Sequence, residues 1–189
     1  MTAETDTRKP RADAVRNRER LIEAAKQAFT EDGADVSLDA IAKRAGVGIG
    51  TLYRHFPTRD AVVEAVYRRE VGQLAEAAET LSRARPAGEA LDAWLRLFVD
   101  YMATKRVIAP AIAALPGGPS ALYETSGSML RQSLTLLLER AIASGDVRAD
   151  IEPDDMMQAL SGIAYGAATP GWKTRALRLI EVLMNGLRA

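Results

Sequence analysis

Thr51, Tyr53, Arg54 and His55 place two hydroxyls, a guanidinium and an imidazole within a turn and a half of one another, in a segment that reads as a short helix. Side chains of this kind donate to phosphate oxygens and to the edges of bases. Leu52 and Phe56, four apart, are core anchors for the opposite face. A second short helix precedes this one. Ser37 can accept from an orphan backbone N–H at its start, and Asp39 puts negative charge where the helix dipole is positive. Leu38, Ile41 and Ala42 share its apolar face, while Lys43 and Arg44 fall toward the other side, where they can meet phosphate. Gly46 stands where a helix ends in a left-handed residue, and Val47 can plug the angle between the two helices. Two helices joined by such a turn form a helix-turn-helix, which lays its second helix in the DNA major groove.

Other chemistries fit less well. Gly46, Gly48 and Gly50 imitate a nucleotide-binding loop, but Tyr53 occupies the next required glycine position and the preceding segment reads as helix, not strand. His55 is the sole histidine and cysteine is absent, so histidine-based catalytic or metal sites and thiolate metal sites lack their ligands. Asp154 and Asp155 open a helix, where the dipole alone favours acids.

At Ile41-Ala42, Ala45-Gly46-Val47, Thr51-Leu52-Tyr53, His55-Phe56 and Arg59 the chain resembles the TetR family of one-component transcriptional regulators. The resemblance covers roughly the first third of the sequence. It implies a dimer, an inducer site in a larger helical domain and, most often, repression. Three features depart from the family pattern. Gly48 replaces a customary hydroxyl residue that could cap the recognition helix, Ile49 and Gly50 bring no hydrogen-bonding side chain, and Arg59 stands where lysine is common. Base reading therefore leans on Thr51, Tyr53 and Arg54, with Ile49 available for a thymine methyl. Arg54 is the best candidate for a base edge; Thr51, Tyr53, His55 and Arg59 would set register on the phosphates.

The 189 residues, 48% of them hydrophobic, suffice for one ordinary domain and a small appended one. Net charge is zero, so phosphate attraction has to come from distribution: Arg8, Lys9, Arg11, Arg16, Arg18 and Arg20 crowd the N-terminal segment. Residues 1–12 read as a disordered basic leader, 13–57 as the helix-turn-helix domain and 58–189 as a helical ligand-binding and dimerisation domain. No apolar run approaches the roughly 18 residues of a membrane span and the N-terminus lacks a signal-peptide pattern, which predicts a cytoplasmic protein.

Everything downstream also has helical periodicity, giving an all-α fold. Pro57 stops the recognition helix and Thr58 can cap a long fourth helix, a natural lever between the domains. A fifth helix carries Leu91 to Met102, a short sixth spans Val107 to Leu115 around Pro110, and a seventh runs from about Ala121 to Ser144. Pro153–Ala167 and Trp172–Leu187 supply two more. Trp94, Phe98, Tyr101, Met102, Ile112, Met129 and Met156 are either core or the lining of a cavity for a small, largely apolar organic effector. The last two helices suit a four-helix dimer interface: the first is small-faced through Gly162 and Gly166, the second apolar on more than one side through Leu179, Ile180, Leu183 and Met184. Burial within one subunit is the alternative.

The reading that unites these features is a dimeric regulator, most often a repressor in the family it resembles, released from a palindromic DNA operator by a small organic molecule. No cofactor is called for. The rivals are a helical small-molecule enzyme, which lacks a nucleophile-base pair, and a protein-interaction module with a vestigial helix-turn-helix.

Overall fold

The computed structural model describes the backbone of residues 8–165 and 170–189, and side chains for 13–164 and 170–189. Among them every regular element is a helix: α1 (Arg8–Asp32), α2 (Leu38–Arg44), α3 (Ile49–His55), α4 (Arg59–Ala84), α5 (Ala87–Ala113), α6 (Ser120–Ala143), α7 (Pro153–Tyr165) and α8 (Trp172–Leu187). The chain divides into two compact units. The first runs up to Arg69 and includes Val107–Gly117; the second comprises Glu70–Arg106 and Gly118–Ala189. α1 begins at Arg8, inside the segment expected to be a leader.

In the first unit, Leu21, Ile22, Ala25, Ala28 and Phe29 repeat at helical spacing along α1 and are all buried. Ile41 and Ala42 of α2, Leu52 of α3, and Val62, Val63 and Val66 of α4 are buried with them. The turns follow local chemistry. Gly33 ends α1 at φ 88°, and Thr58 Oγ1 accepts from Ala61 N at 3.1 Å to cap α4.

The second unit is built from longer helices around Leu91, Trp94, Leu95, Leu134, Leu137, Leu138, Leu160 and Ile180, each 0% exposed. Trp94 donates its indole N–H to the Leu74 carbonyl at 2.8 Å, so its one polar group is satisfied in the core. Asp146, just past α6, accepts from Gly88 N at 2.9 Å and from the Ser144 hydroxyl at 2.8 Å, tying the end of α6 to the first turn of α5. These two bonds hold its carboxyl below the usual aspartate range, the Ser144 hydroxyl contributing most.

The fifth and sixth helices expected from the sequence are continuous as α5, with Pro110 inside it. Proline removes one backbone donor and crowds the preceding turn. Pro110 is exposed and only three residues from the end of α5, where the helix has few further bonds to lose and the ring meets solvent.

Candidate DNA-binding interface

The interface is positioned by caps and pins. Ser37 has extended geometry, φ −70° and ψ 150°, and its Oγ accepts from Ala40 N at 3.2 Å, which starts α2 as its sequence predicts. Gly46 adopts φ 66°, and Val47 N donates to the Ala42 carbonyl at 3.0 Å, closing the turn. A Cβ on Gly46 would sit 2.9 Å from Nη2 of Arg20. That nitrogen donates to the Ala45 carbonyl at 2.7 Å, so a cation from α1 finishes the C-terminus of α2. Gly48 starts α3 in extended geometry without any side-chain cap, in keeping with its lack of a hydroxyl.

α3 is amphipathic. Leu52 and Phe56 are buried at 0% and 2% exposure, while Tyr53 is 50% exposed and Ile49 36%. Gly50 and Arg54 lie on the exposed side, and Thr51 and His55 are half-buried at its margins. Lys43 and Ser37 are exposed nearby. The outward face of α3 thus carries a phenol, a guanidinium and an apolar group, with Gly50 adding no bulk.

Two arginines are engaged elsewhere. Arg44 pairs with Glu31 at 2.6 Å and Asp32 at 3.1 Å, at the C-terminal end of α1. Arg59 turns inward: its guanidinium donates to the Val36 carbonyl at 2.6 Å and to the Ala34 carbonyl, and stands 5.9 Å from the Phe29 ring centroid. Arg44 ties the end of α2 to the end of α1, and Arg59 ties the α1–α2 connection to the start of α4. The sequence offered no signal for these partners, nor for Arg20, because each lies 12 or more residues away. Arg18 adds a cation–π contact, 5.2 Å above the Phe56 ring.

The seven residues expected around a cavity have different settings. Trp94, Tyr101 and Met156 are core, 0%, 5% and 1% exposed. Ile112 is buried in the first unit, and Met129 is 38% exposed beside a recess bordered by α4 and α6. Phe98 and Met102 do meet an apolar seam between α5 and α7, with Leu160, Ile163, Ala164 and Trp172, packed too closely to hold a water molecule. Trp172 was missed because its position at a helix start suggested only a boundary.

The expected dimer face is likewise divided. Leu179 is 49% exposed and its neighbour Val182 63%, whereas Leu183 and Met184 are half-buried. Ile180 is 0% exposed and belongs to its own subunit's core. Gly162 is exposed, and Gly166 lies outside the described residues.

The capped α2, the left-handed glycine turn and the half-exposed α3 define a helix-turn-helix DNA-binding unit joined in one chain to an all-helical second unit. Residues 21–66 match the family profile described as bacterial regulatory proteins, tetR family, and residues 85–189 match that of the SbtR-like transcriptional regulator C-terminal domain. A TetR transcriptional regulator from Streptomyces coelicolor is similar at 41% identity, covering 90% of this chain and 98% of that one with a TM-score of 0.80. A TetR regulatory protein from Mycobacterium vanbaalenii is 34% identical over 95% of this chain and 99% of its own, with a TM-score of 0.79. An HTH-type transcriptional regulator of Staphylococcus aureus is 42% identical over 62 residues, 32% of this chain. The match spans 34% of that curated relative's length. The chain belongs to the TetR family of transcriptional regulators. Members of this family are DNA-binding regulators and not enzymes; they bind operators and small-molecule effectors and act as dimers. Among the described residues no helix is long and apolar enough to cross a membrane.

Proposed function

We propose that this chain is a cytoplasmic, homodimeric repressor that leaves a near-palindromic operator when a small organic molecule enters its second unit. The observation that carries the DNA-reading half is the outward face of α3, where Tyr53 and Arg54 stand free of the core while Leu52 and Phe56 hold the helix down. Arg54 is assigned a base edge, Ile49 a thymine methyl, and Thr51, Tyr53 and His55 the phosphates on either side. Lys43 joins the phosphate contacts, with Ser37 and Gly48 at the helix starts beside them. Arg59 acts through position, holding the 34–36 connection in register, since its donors already serve carbonyl oxygens.

The exposed apolar pair Leu179 and Val182 supports self-association, because apolar surface on a helix flank is relieved by burial against a second copy. Two copies present α3 twice, about 34–36 Å apart or a multiple of it, which matches successive major grooves. An effector weakens binding only as far as it prefers the non-binding conformation.

Selection of bound DNA from a random pool by the full chain tests the assignment. A salt-dependent, two-fold symmetric site is expected, and Leu179→Glu should lower affinity for that site while leaving Arg54-dependent base preference intact. A monomer that holds a single half-site as tightly as the complete one overturns the dimeric reading.

A further inference from the structure

Given the DNA-reading assignment of α3 above, we infer that Gly50 is a specificity-determining position. Its missing side chain lets the start of α3 sink to the base edges of the major groove, and any side chain there would hold the reading face away from them. Gly50 shares one exposed face of α3 with Tyr53 and Arg54, three and four residues on. Of the three, it alone brings no bulk to that face.

The fold supplies no reason for glycine at this position. Gly46, four residues earlier, does have one: its φ is 66°, and a Cβ on it would stand 2.9 Å from Nη2 of Arg20. Gly50 is helical and without a positive φ, and a Cβ built on it meets nothing within 4 Å. Alanine would therefore fit, and alanine is favoured over glycine inside a helix. In a seven-residue helix with no side-chain cap at its start, every residue of poor propensity counts. Gly50 thus forgoes helix stability that its own protein surroundings do not ask it to forgo.

What the missing side chain supplies is depth. A helix with its side chains is about 10–12 Å across and the major groove of B-DNA about 12 Å wide, so the fit leaves little to spare. Helix-turn-helix proteins read base edges with the N-terminal residues of the second helix, and on α3 these include Ile49 and Gly50. The outward face runs from a bare backbone at Gly50 to a phenol and a guanidinium one turn later. A face that is short at one end and long at the other suits a helix tilted into the groove, its start deepest, with Tyr53 and Arg54 reaching in from further out. Ile49, 36% exposed and next to the bare position, is then brought within contact of a thymine methyl, which a short apolar side chain cannot meet from a distance.

The test compares the full native chain with Gly50→Ala and Gly50→Leu on two duplexes of equal length, the site selected from a random pool and an unrelated sequence. Gly50→Ala should melt at or above the native temperature yet bind the selected site at least about tenfold more weakly, the scale of one misread base pair. Gly50→Leu should lose more. Affinity for the unrelated duplex, which depends on phosphates, should stay within about twofold. Gly127→Ala, at an exposed position of α6 where a Cβ likewise meets nothing within 4 Å, should keep its melting temperature and leave both affinities unchanged. Native affinity of Gly50→Ala for the selected site overturns the proposal, as does an equal loss on both duplexes or a loss that does not grow from alanine to leucine. Earlier melting of Gly50→Ala also overturns it, because the fold would then require the glycine. A native chain that selects no sequence removes the DNA-reading assignment itself, whereas native selection with an unaffected Gly50→Ala removes only the role of Gly50.

Discussion

The two DNA-reading helices and the helices of the second unit are held in place by different means. α2 and α3 have seven residues each, too few to repay helix nucleation on their own. Their order comes from Ser37, from the turn at Gly46, from Arg20 and Arg59 reaching in from α1 and α4, and from Arg44 of α2 reaching back to the end of α1. The second unit has helices of up to 24 residues lying wholly within it, and these interlock through continuous apolar faces. A reading head is therefore set by a few polar pins, whereas the helical body is set by volume. Substitutions that preserve size but remove a pin should damage the first, and substitutions that change size should damage the second.

Truncating large core residues should produce the largest effects. Trp94→Ala empties a fully buried site and removes the bond to Leu74, so a loss of about 3–5 kcal/mol is expected in a denaturant melt of the second unit. Phe56→Ala should cost a similar amount in the first unit and also abolish DNA binding. If Phe56→Ala destabilises far less than Trp94→Ala, pins alone hold the reading head and the contrast is sharper than drawn.

Next in size is Gly46→Ala. The left-handed backbone costs a residue with a side chain about 1–2 kcal/mol, and the added carbon collides with Nη2 of Arg20. DNA affinity should fall with melting temperature. A loss no larger than that backbone cost would show that the Arg20 side chain yields to the added carbon.

Arg59→Ala and Arg54→Ala separate position from contact. The first should lower stability by about 1–3 kcal/mol and weaken all DNA sequences alike, with the salt slope of binding nearly unchanged. A slope reduced by about one unit would instead make Arg59 a phosphate ligand. Arg54→Ala should leave the melt untouched and relax selection at one base position by about 1–3 kcal/mol.

The smallest effect should be at Asp146. Its carboxyl is held below the ordinary aspartate range by the Ser144 hydroxyl and the Gly88 amide, so its contribution is present above the unfolded value and is lost as pH falls through the lower folded one. Asp146→Ala should melt earlier than the native chain at pH 7. The gap should close in acid below about pH 4.

Local chemistry explains what could be read in the sequence. Ser37, Gly46, Leu52, Phe56 and Thr58 announce themselves because cap, turn and anchor each act within four residues. α8 was legible to its ends, Trp172 and Leu187. Long-range partners were not. Arg44 and Arg59 carry charge wherever they point, and a sequence pattern does not separate a guanidinium aimed at DNA from one aimed at Ala34. The continuity of α5 through Met102, Val107 and Pro110 was not legible, because the cost of proline depends on exposure and on distance from the helix end. Ile180 shows the same limit: a helix apolar on two sides does not label which side is its own.

The uncapped start and seven-residue length of α3 mean that this helix borrows its shape from the protein around it. Cut out as a synthetic peptide covering 37–56, it should be mostly random coil, and its affinity for the selected site should collapse even though every reading side chain is present. Within the intact chain that ordering has already been completed during folding, so docking onto DNA spends no free energy on forming the helix.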